Sequence, residues 1–292
     1  MRKKFESGDL ISLWRPEATM TKFDGGQVVI VGGSSLFHGA PVLALKAASR
    51  LVDMVYFASG EENRDIAEKI KTSLSAFIWI PRDELDEYIK KSDVVLIGPG
   101  LMRYVSEKGG HNGQVCDGEG RETKALTERL VSEFPLKKWV IDGGSLQVMD
   151  DGLIPLGAVV TPNAKEYEML FRERINWRDF DGVIEKVERQ AVKHGCVIAL
   201  KGVVSVVSDG KSTYLVEGGS PGLSKGGTGD VVAGLTAGLL VKNPPVLAAA
   251  AANFLVKKTA EELDSERGEM FNADDLVERV PVVYKRSLME IS

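Results

Sequence analysis

Five short aliphatic runs in this chain each stop against a turn carrying glycine, proline or asparagine. Gln27-Val-Val-Ile-Val31 meets Gly32-Gly33, Asp93-Val-Val-Leu-Ile97 meets Gly98-Pro-Gly100, and Lys138-Trp-Val-Ile141 meets Asp142-Gly-Gly144. Ala158-Val-Val160 meets Thr161-Pro-Asn163, and Cys196-Val-Ile-Ala-Leu200 meets Lys201-Gly202. Continuous apolar runs of this length fit strands covered on both faces, and such strands are parallel. Helical patterns separate them at 40–52, 62–75, 83–91, 122–133 and 179–194. This alternation predicts an α/β fold, a doubly wound and mainly parallel sheet with helices on both faces. One segment breaks the pattern. Val203–Ser208 and Ser212–Val216 flank Asp209-Gly210, a hairpin turn signature, so an antiparallel hairpin edge is expected.

A chain of 292 residues suits one such domain, read here as 1–292 with an N-terminal extension at 1–24 and a long surface loop at 102–120. Acidic residues (42) outnumber basic ones (37), a formal charge of −5, which is a poor match for nucleic acid or an anionic membrane surface. Two cysteines and three histidines exclude a zinc module and a disulfide framework, so a reducing, cytoplasmic setting is expected. Met1–Leu13 lacks the apolar segment of a signal peptide. The apolar stretch Val246–Val256 falls short of the roughly 20 residues that cross a bilayer.

The segment richest in chemistry is Ser224-Lys-Gly-Gly-Thr-Gly-Asp-Val-Val-Ala-Gly234. Gly226, Gly227, Thr228 and Gly229 at a helix start leave main-chain N–H groups unobstructed. With the helix dipole behind them they form a cradle suited to phosphate oxygens. Asp230, in the first turn, can act as base toward a substrate hydroxyl, or can simply be a helix-start acid behind a tight turn. The helix it opens, 230–241, is too apolar for any place but the interior. Lys201-Gly202 stands at the end of the sheet where α/β folds bind ligands, and reads equally as a solvated strand-end lysine. The turn Gly32–Ala40 does not fit the G-x-G-x-x-G fingerprint, which argues against a hydride-transferring site; its small residues still let a ligand approach the backbone. Thr161-Pro-Asn-Ala-Lys-Glu166 reads two ways. Asn163 and Glu166 have capping-box spacing, and Glu166 could instead hold a hydrated magnesium ion. Of the histidines, His194 reads as structural and only His38 lies near a candidate site.

Taken together, Lys225-Gly-Gly-Thr-Gly-Asp-Val-Val-Ala-Gly234, Ile198-Ala-Leu-Lys-Gly202, Ile97-Gly-Pro-Gly-Leu101 and Thr161-Pro-x-x-x-Glu166 resemble the nucleotide-dependent NAD(P)H-hydrate dehydratases, a branch of the ribokinase-like superfamily. The likeness runs in order from about Gly25 to the C-terminus. It includes Gly33-Ser-x-x-x-x-Gly-Ala40 and Asn272-Ala-Asp-Asp-Leu276. It implies a ribokinase-like fold and repair of hydrated NADH or NADPH, with ADP or ATP phosphorylating the added hydroxyl, Mg²⁺ present, and phosphate then eliminated. It further implies that Asp230 contacts and deprotonates the hydroxyl, that Gly229 touches the adenine nucleotide, and that Lys201, Gly202 and Ser205 lie along it. Ala40, Gly100, Asn163 and Asp230 would line the hydrate pocket. Relatives are often tetrameric, which implies a homo-oligomer.

Two segments depart from the family pattern. Asn163-Ala-Lys-Glu166 stands where His-Pro-Gly-Glu is common, and Asp142-Gly-Gly-Ser-Leu146 lacks the second acid of Asp-Ala-Asp-Ala-Leu. The resulting Asn-x-x-Glu is closer to sugar kinases, so an ATP-dependent small-molecule kinase is the alternative expectation.

Overall fold

Val28 and Ile30 join one buried cluster while Val29 and Val31, their neighbours in the chain, join another. Successive strand side chains point to opposite faces, so a run apolar at every position feeds two cores at once. The computed structural model describes residues 1–103 and 118–290. Its strands are β1 (Arg2–Lys4), β2 (Gln27–Val31), β3 (Met54–Ser59), β4 (Ile78–Pro81) and β5 (Val94–Ile97). They continue as β6 (Lys138–Ile141), β7 (Val159–Val160), β8 (Val197–Leu200), β9 (Ser205–Ser208) and β10 (Thr213–Val216). The helices are α1 (Gly39–Ala48), α2 (Arg64–Ile70), α3 (Leu85–Lys91), α4 (Gly118–Glu133) and α5 (Gly143–Val148). After them come α6 (Ala164–Phe171), α7 (Phe180–His194), α8 (Thr228–Leu240), α9 (Pro245–Arg267) and α10 (Ala273–Met289).

The strands form one sheet in the order β1-β10-β9-β8-β7-β6-β5-β2-β3-β4. Only β9 among them runs against the rest, pairing antiparallel with both β8 and β10. Residues of α1, α2, α8, α9 and α10 pack on one face, and residues of α3 to α7 on the other. Helix α8 lies between α1 and α9 and is buried almost throughout, as its sequence requires. Gly234 makes this possible, because a Cβ there would run into the main-chain carbonyl of Ala44 on α1.

Three sequence expectations gain detail here. The hairpin forms, but β1 pairs in parallel outside β10 and takes over the sheet edge. Residues 1–24, expected as an extension, therefore supply a strand, and Phe5, Leu10 and Leu13 join the core under it. Of the expected loop at 102–120, residues 104–117 lie outside the described ones, and Gly118 already begins α4. Among the described residues no helix is long and apolar enough to cross a membrane.

Candidate active site

The turns after β5, β6, β7 and β8 meet at the carboxyl rim of the sheet, where open α/β sheets place ligands. Asp142 follows β6 and is buried. Its Oδ1 accepts a hydrogen bond from Thr161 Oγ1, after β7, at 2.6 Å and one from Lys201 Nζ, after β8, at 2.8 Å. Lys201 Nζ also stands 3.9 Å from Glu166 Oε2 on α6. Adjacent parallel strands thus bring together a lysine and two acids that lie far apart in the chain. Asp142 entered the sequence reading as a strand-ending turn residue and within a segment that departs from the family pattern, not as a site residue. Its position directly after a buried strand was the available signal.

Helix α8 supplies the other half of the site. Gly227 holds φ = 94°, a left-handed conformation that turns the chain into the helix. The first main-chain bond of the helix runs from Val231 N–H to Gly227 O at 3.2 Å. Among the described residues, no protein acceptor takes a hydrogen bond from the N–H groups of Gly226, Gly227, Thr228 or Gly229. Gly226 is exposed with open space around it. Thr228 turns its hydroxyl inward to the carbonyls of Leu223 (2.8 Å) and Lys225 (3.1 Å), so its amide is the group left to face a ligand. A Cβ at Gly229 would lie 3.1 Å from Lys201 Nζ, which sets the lysine against the cradle.

One ammonium now serves three carboxyls, those of Asp142, Glu166 and Asp230. Burial chiefly, with the Asp142 charge and more weakly that of Glu166, pushes Asp230 up to about 7, against the opposing pull of Lys201. Burial likewise raises Glu166. Lys201 is raised as well: burial opposes its charge, but Asp142, Glu166 and Asp230 outweigh that. A carboxyl that titrates near neutrality beside free amides can hold or release a proton at the operating pH.

A cavity of about 630 Å³ opens beside Lys201 and is lined by Gly202, Ser205, Thr228 and Gly229. Gly226 and Gly227 lie on the turn leading into it. Its far wall includes Lys257 of α9, which sequence reasoning missed. Lys257 Nζ donates to the carbonyls of Gly202 (3.0 Å), Gly218 (3.3 Å) and Val203, joining the β8–β9 turn to the segment after β10. Burial lowers it to about 8. A single lysine pair in an alanine-rich helix was its only mark in the sequence.

The expected hydrate-pocket residues occupy the same rim. Gly100 packs against the start of α1, where a Cβ would lie 2.6 Å from Phe37 O, and Ala40 is in the first turn of that helix. Asn163 forms a capping box with Glu166: Asn163 N–H donates to Glu166 Oε2 at 2.8 Å, and Glu166 N–H to Asn163 Oδ1 at 3.0 Å. The Asn-x-x-Glu spacing behind the kinase alternative therefore has a structural explanation. Nearby, His38 Nδ1 pairs with Asn63 Oδ1 at 2.7 Å. No three acid, histidine or cysteine side chains among the described residues are grouped to hold a metal. A protein cage of the described residues therefore does not fit, and a carboxylate such as Glu166 is the donor type that meets a hydrated magnesium ion through water.

The sequence model of one family, described as NAD(P)H-hydrate dehydratase, matches residues 28–282. The chain is 33% identical over 279 residues to the ADP-dependent (S)-NAD(P)H-hydrate dehydratase of Cenarchaeum symbiosum, covering 90% of each chain. It spans about half the length of the bifunctional NAD(P)H-hydrate repair enzymes it also matches. Its fold is similar to that of the ADP/ATP-dependent NAD(P)H-hydrate dehydratase of Bacillus subtilis co-crystallised with ATP and Mg²⁺. There the TM-score is 0.79 at 20% identity, over 97% of this chain and 98% of that one. A ribokinase-like superfamily protein of Enterococcus faecalis is similar as well, with a TM-score of 0.79 at 19% identity over 98% and 96% of the two chains.

Proposed function

Because the chain belongs to the NAD(P)H-hydrate dehydratase family, we propose that it restores hydrated NADH or NADPH by phosphorylating the ring hydroxyl and eliminating phosphate. The observation that carries this reading is Asp230, which titrates near 7 in the first turn of α8 beside four unengaged amides. The nucleotide lies in the cavity of Gly202, Ser205, Thr228 and Gly229, with its terminal phosphates on the amides of Gly226 to Gly229. The hydrate enters from the side of Ala40, Gly100 and Asn163.

Asp230 takes the proton of the ring hydroxyl, and that oxygen attacks the terminal phosphorus. The bridging P–O bond breaks with its electron pair going to the departing nucleotide, AMP when ADP is the donor. Lys201 and the amides meet the charge that spreads over the transferring phosphoryl group. In the second half the C–O bond breaks, phosphate leaves with that electron pair, and the adjacent ring carbon loses a proton to form the double bond of the dihydronicotinamide. Magnesium carried on the nucleotide would offset phosphate charge, with Glu166 reaching it through water. ADP is the preferred donor on the strength of the Cenarchaeum relative's name, and the reaction class is a carbon–oxygen lyase. The enzyme works on small molecules in the cytoplasm, as a homo-oligomer by family likeness.

The test is to incubate the protein with hydrated NADH, ADP and Mg²⁺ and follow the dihydronicotinamide absorbance. Recovery of NADH with stoichiometric phosphate release is expected. A phosphorylated alcohol that accumulates and keeps its phosphate would overturn this reading in favour of a kinase.

A further inference from the structure

A second cavity, of about 340 Å³, lies further along the same rim and is lined by Gly33, Ser34, Arg82 and Leu101, with Glu119 and Glu122 at its exposed side. Arg82 follows β4, and its placement is unusual for a half-buried cation. Its guanidinium makes one long bond, Nη2 to Gly33 O at 3.4 Å, and its Nε has no partner. It forms no ion pair with any carboxylate among the described residues. A guanidinium is costly to bury unpaired and is shaped to take two oxygens of a phosphate at once.

Position along the sheet says which phosphate. In the order β6-β5-β2-β3-β4, Arg82 starts beyond β3 but reaches back to the loop after β2. That sets its head group two strand spacings from Asp142 of β6, about 10 Å. Gly100, between the two, belongs to the expected pocket for the hydrated ring. A dinucleotide whose ring sits at Asp230 must carry its ribose and pyrophosphate away from the donor nucleotide, toward this second cavity. We propose that Arg82 anchors the pyrophosphate of the hydrated dinucleotide, a role that rests on the dehydratase reading above. Glu119, whose Oε1 accepts a hydrogen bond from Ser35 Oγ at 3.1 Å, and Glu122 line the exposed side of the cavity, where ribose hydroxyls can donate to carboxylates and a further phosphate is disfavoured.

Steady-state kinetics with NADH hydrate and NADPH hydrate, at saturating ADP, test this in the wild type, Arg82→Ala and Arg82→Lys. Loss of a charged hydrogen-bonding anchor should raise KM for both hydrates roughly 10- to 100-fold in Arg82→Ala, with the loss falling mainly on KM. Arg82→Lys should recover part of it, and titration of NADH itself, read by its fluorescence, should weaken in parallel. Unchanged KM for both hydrates would overturn the assignment. So would a rise confined to NADPH hydrate, which would move the contact to the additional phosphate. A matching rise in the KM for ADP would overturn it too, by showing that Arg82 acts through packing. Should the wild type return no NADH at all, the dehydratase reading fails, while the NADH titration still decides the role of Arg82.

Discussion

At the scale of single residues, the site is a problem of too many acids. Three carboxyls surround Lys201, and burial, with the charges of its neighbours, pushes Asp230 up to about 7. The kcat/KM profile should therefore rise with pH through an apparent value near 7, as Asp230 loses its proton and becomes a base. Asp142→Asn removes a charge that holds Asp230 up and frees Lys201 to pull it down, so the rising limb should move to lower pH. A limb that stays in place would separate Asp142 from the titration. Asp230→Asn should lose about 10²- to 10⁴-fold in kcat. The same variant bears on stability. A carboxyl raised in the folded state contributes stability below its unfolded value near 4, and that stability is lost as pH rises through about 7. The ligand-free Asp230→Asn protein should accordingly melt a few degrees above wild type at pH 8 and show no such gain at pH 4, as scanning calorimetry can read.

At the scale of elements, the position of α8 decides whether the cradle meets the acids. Gly234 lets α8 and α1 touch backbone to backbone. Gly234→Val should force the two helices apart, costing about 1–3 kcal/mol in denaturant unfolding, and should weaken ADP binding because the amides of 226–229 ride on that helix. Full stability with normal ADP affinity would show that the close approach is dispensable. On the other wall, Lys257 fastens the β8–β9 turn to the segment after β10 through three carbonyls. Lys257→Met leaves those carbonyls without their donor and should cost about 1–3 kcal/mol. Its signature in function should be a raised KM for ADP, since Gly202 and Ser205 lose their fixed wall. A variant with wild-type stability and KM would return Lys257 to a passive role.

At the scale of the whole molecule, the first residues of the chain close the sheet edge that the β9–β10 hairpin leaves open. Leu10 is fully buried, and Leu10→Ala should cost about 2–5 kcal/mol by urea denaturation. Removing residues 1–13 should also expose β10 as an unpaired edge and promote association, visible by light scattering. Strand runs, the hairpin and the buried character of α8 were legible in the sequence because hydrophobic pattern and turn chemistry are local properties. So was the glycine-rich helix start before Asp230, for its free N–H groups come from consecutive residues. Strand β1 was not legible, since three charged residues, Arg2-Lys-Lys4, become a strand only by pairing with Thr213–Leu215. Nor were the joining of Asp142, Glu166 and Lys201, the clamp of Lys257 or the unpaired head group of Arg82. Each depends on the order in which strands lie side by side, and charges act through space, so their partners and proton affinities existed only once the sheet had assembled.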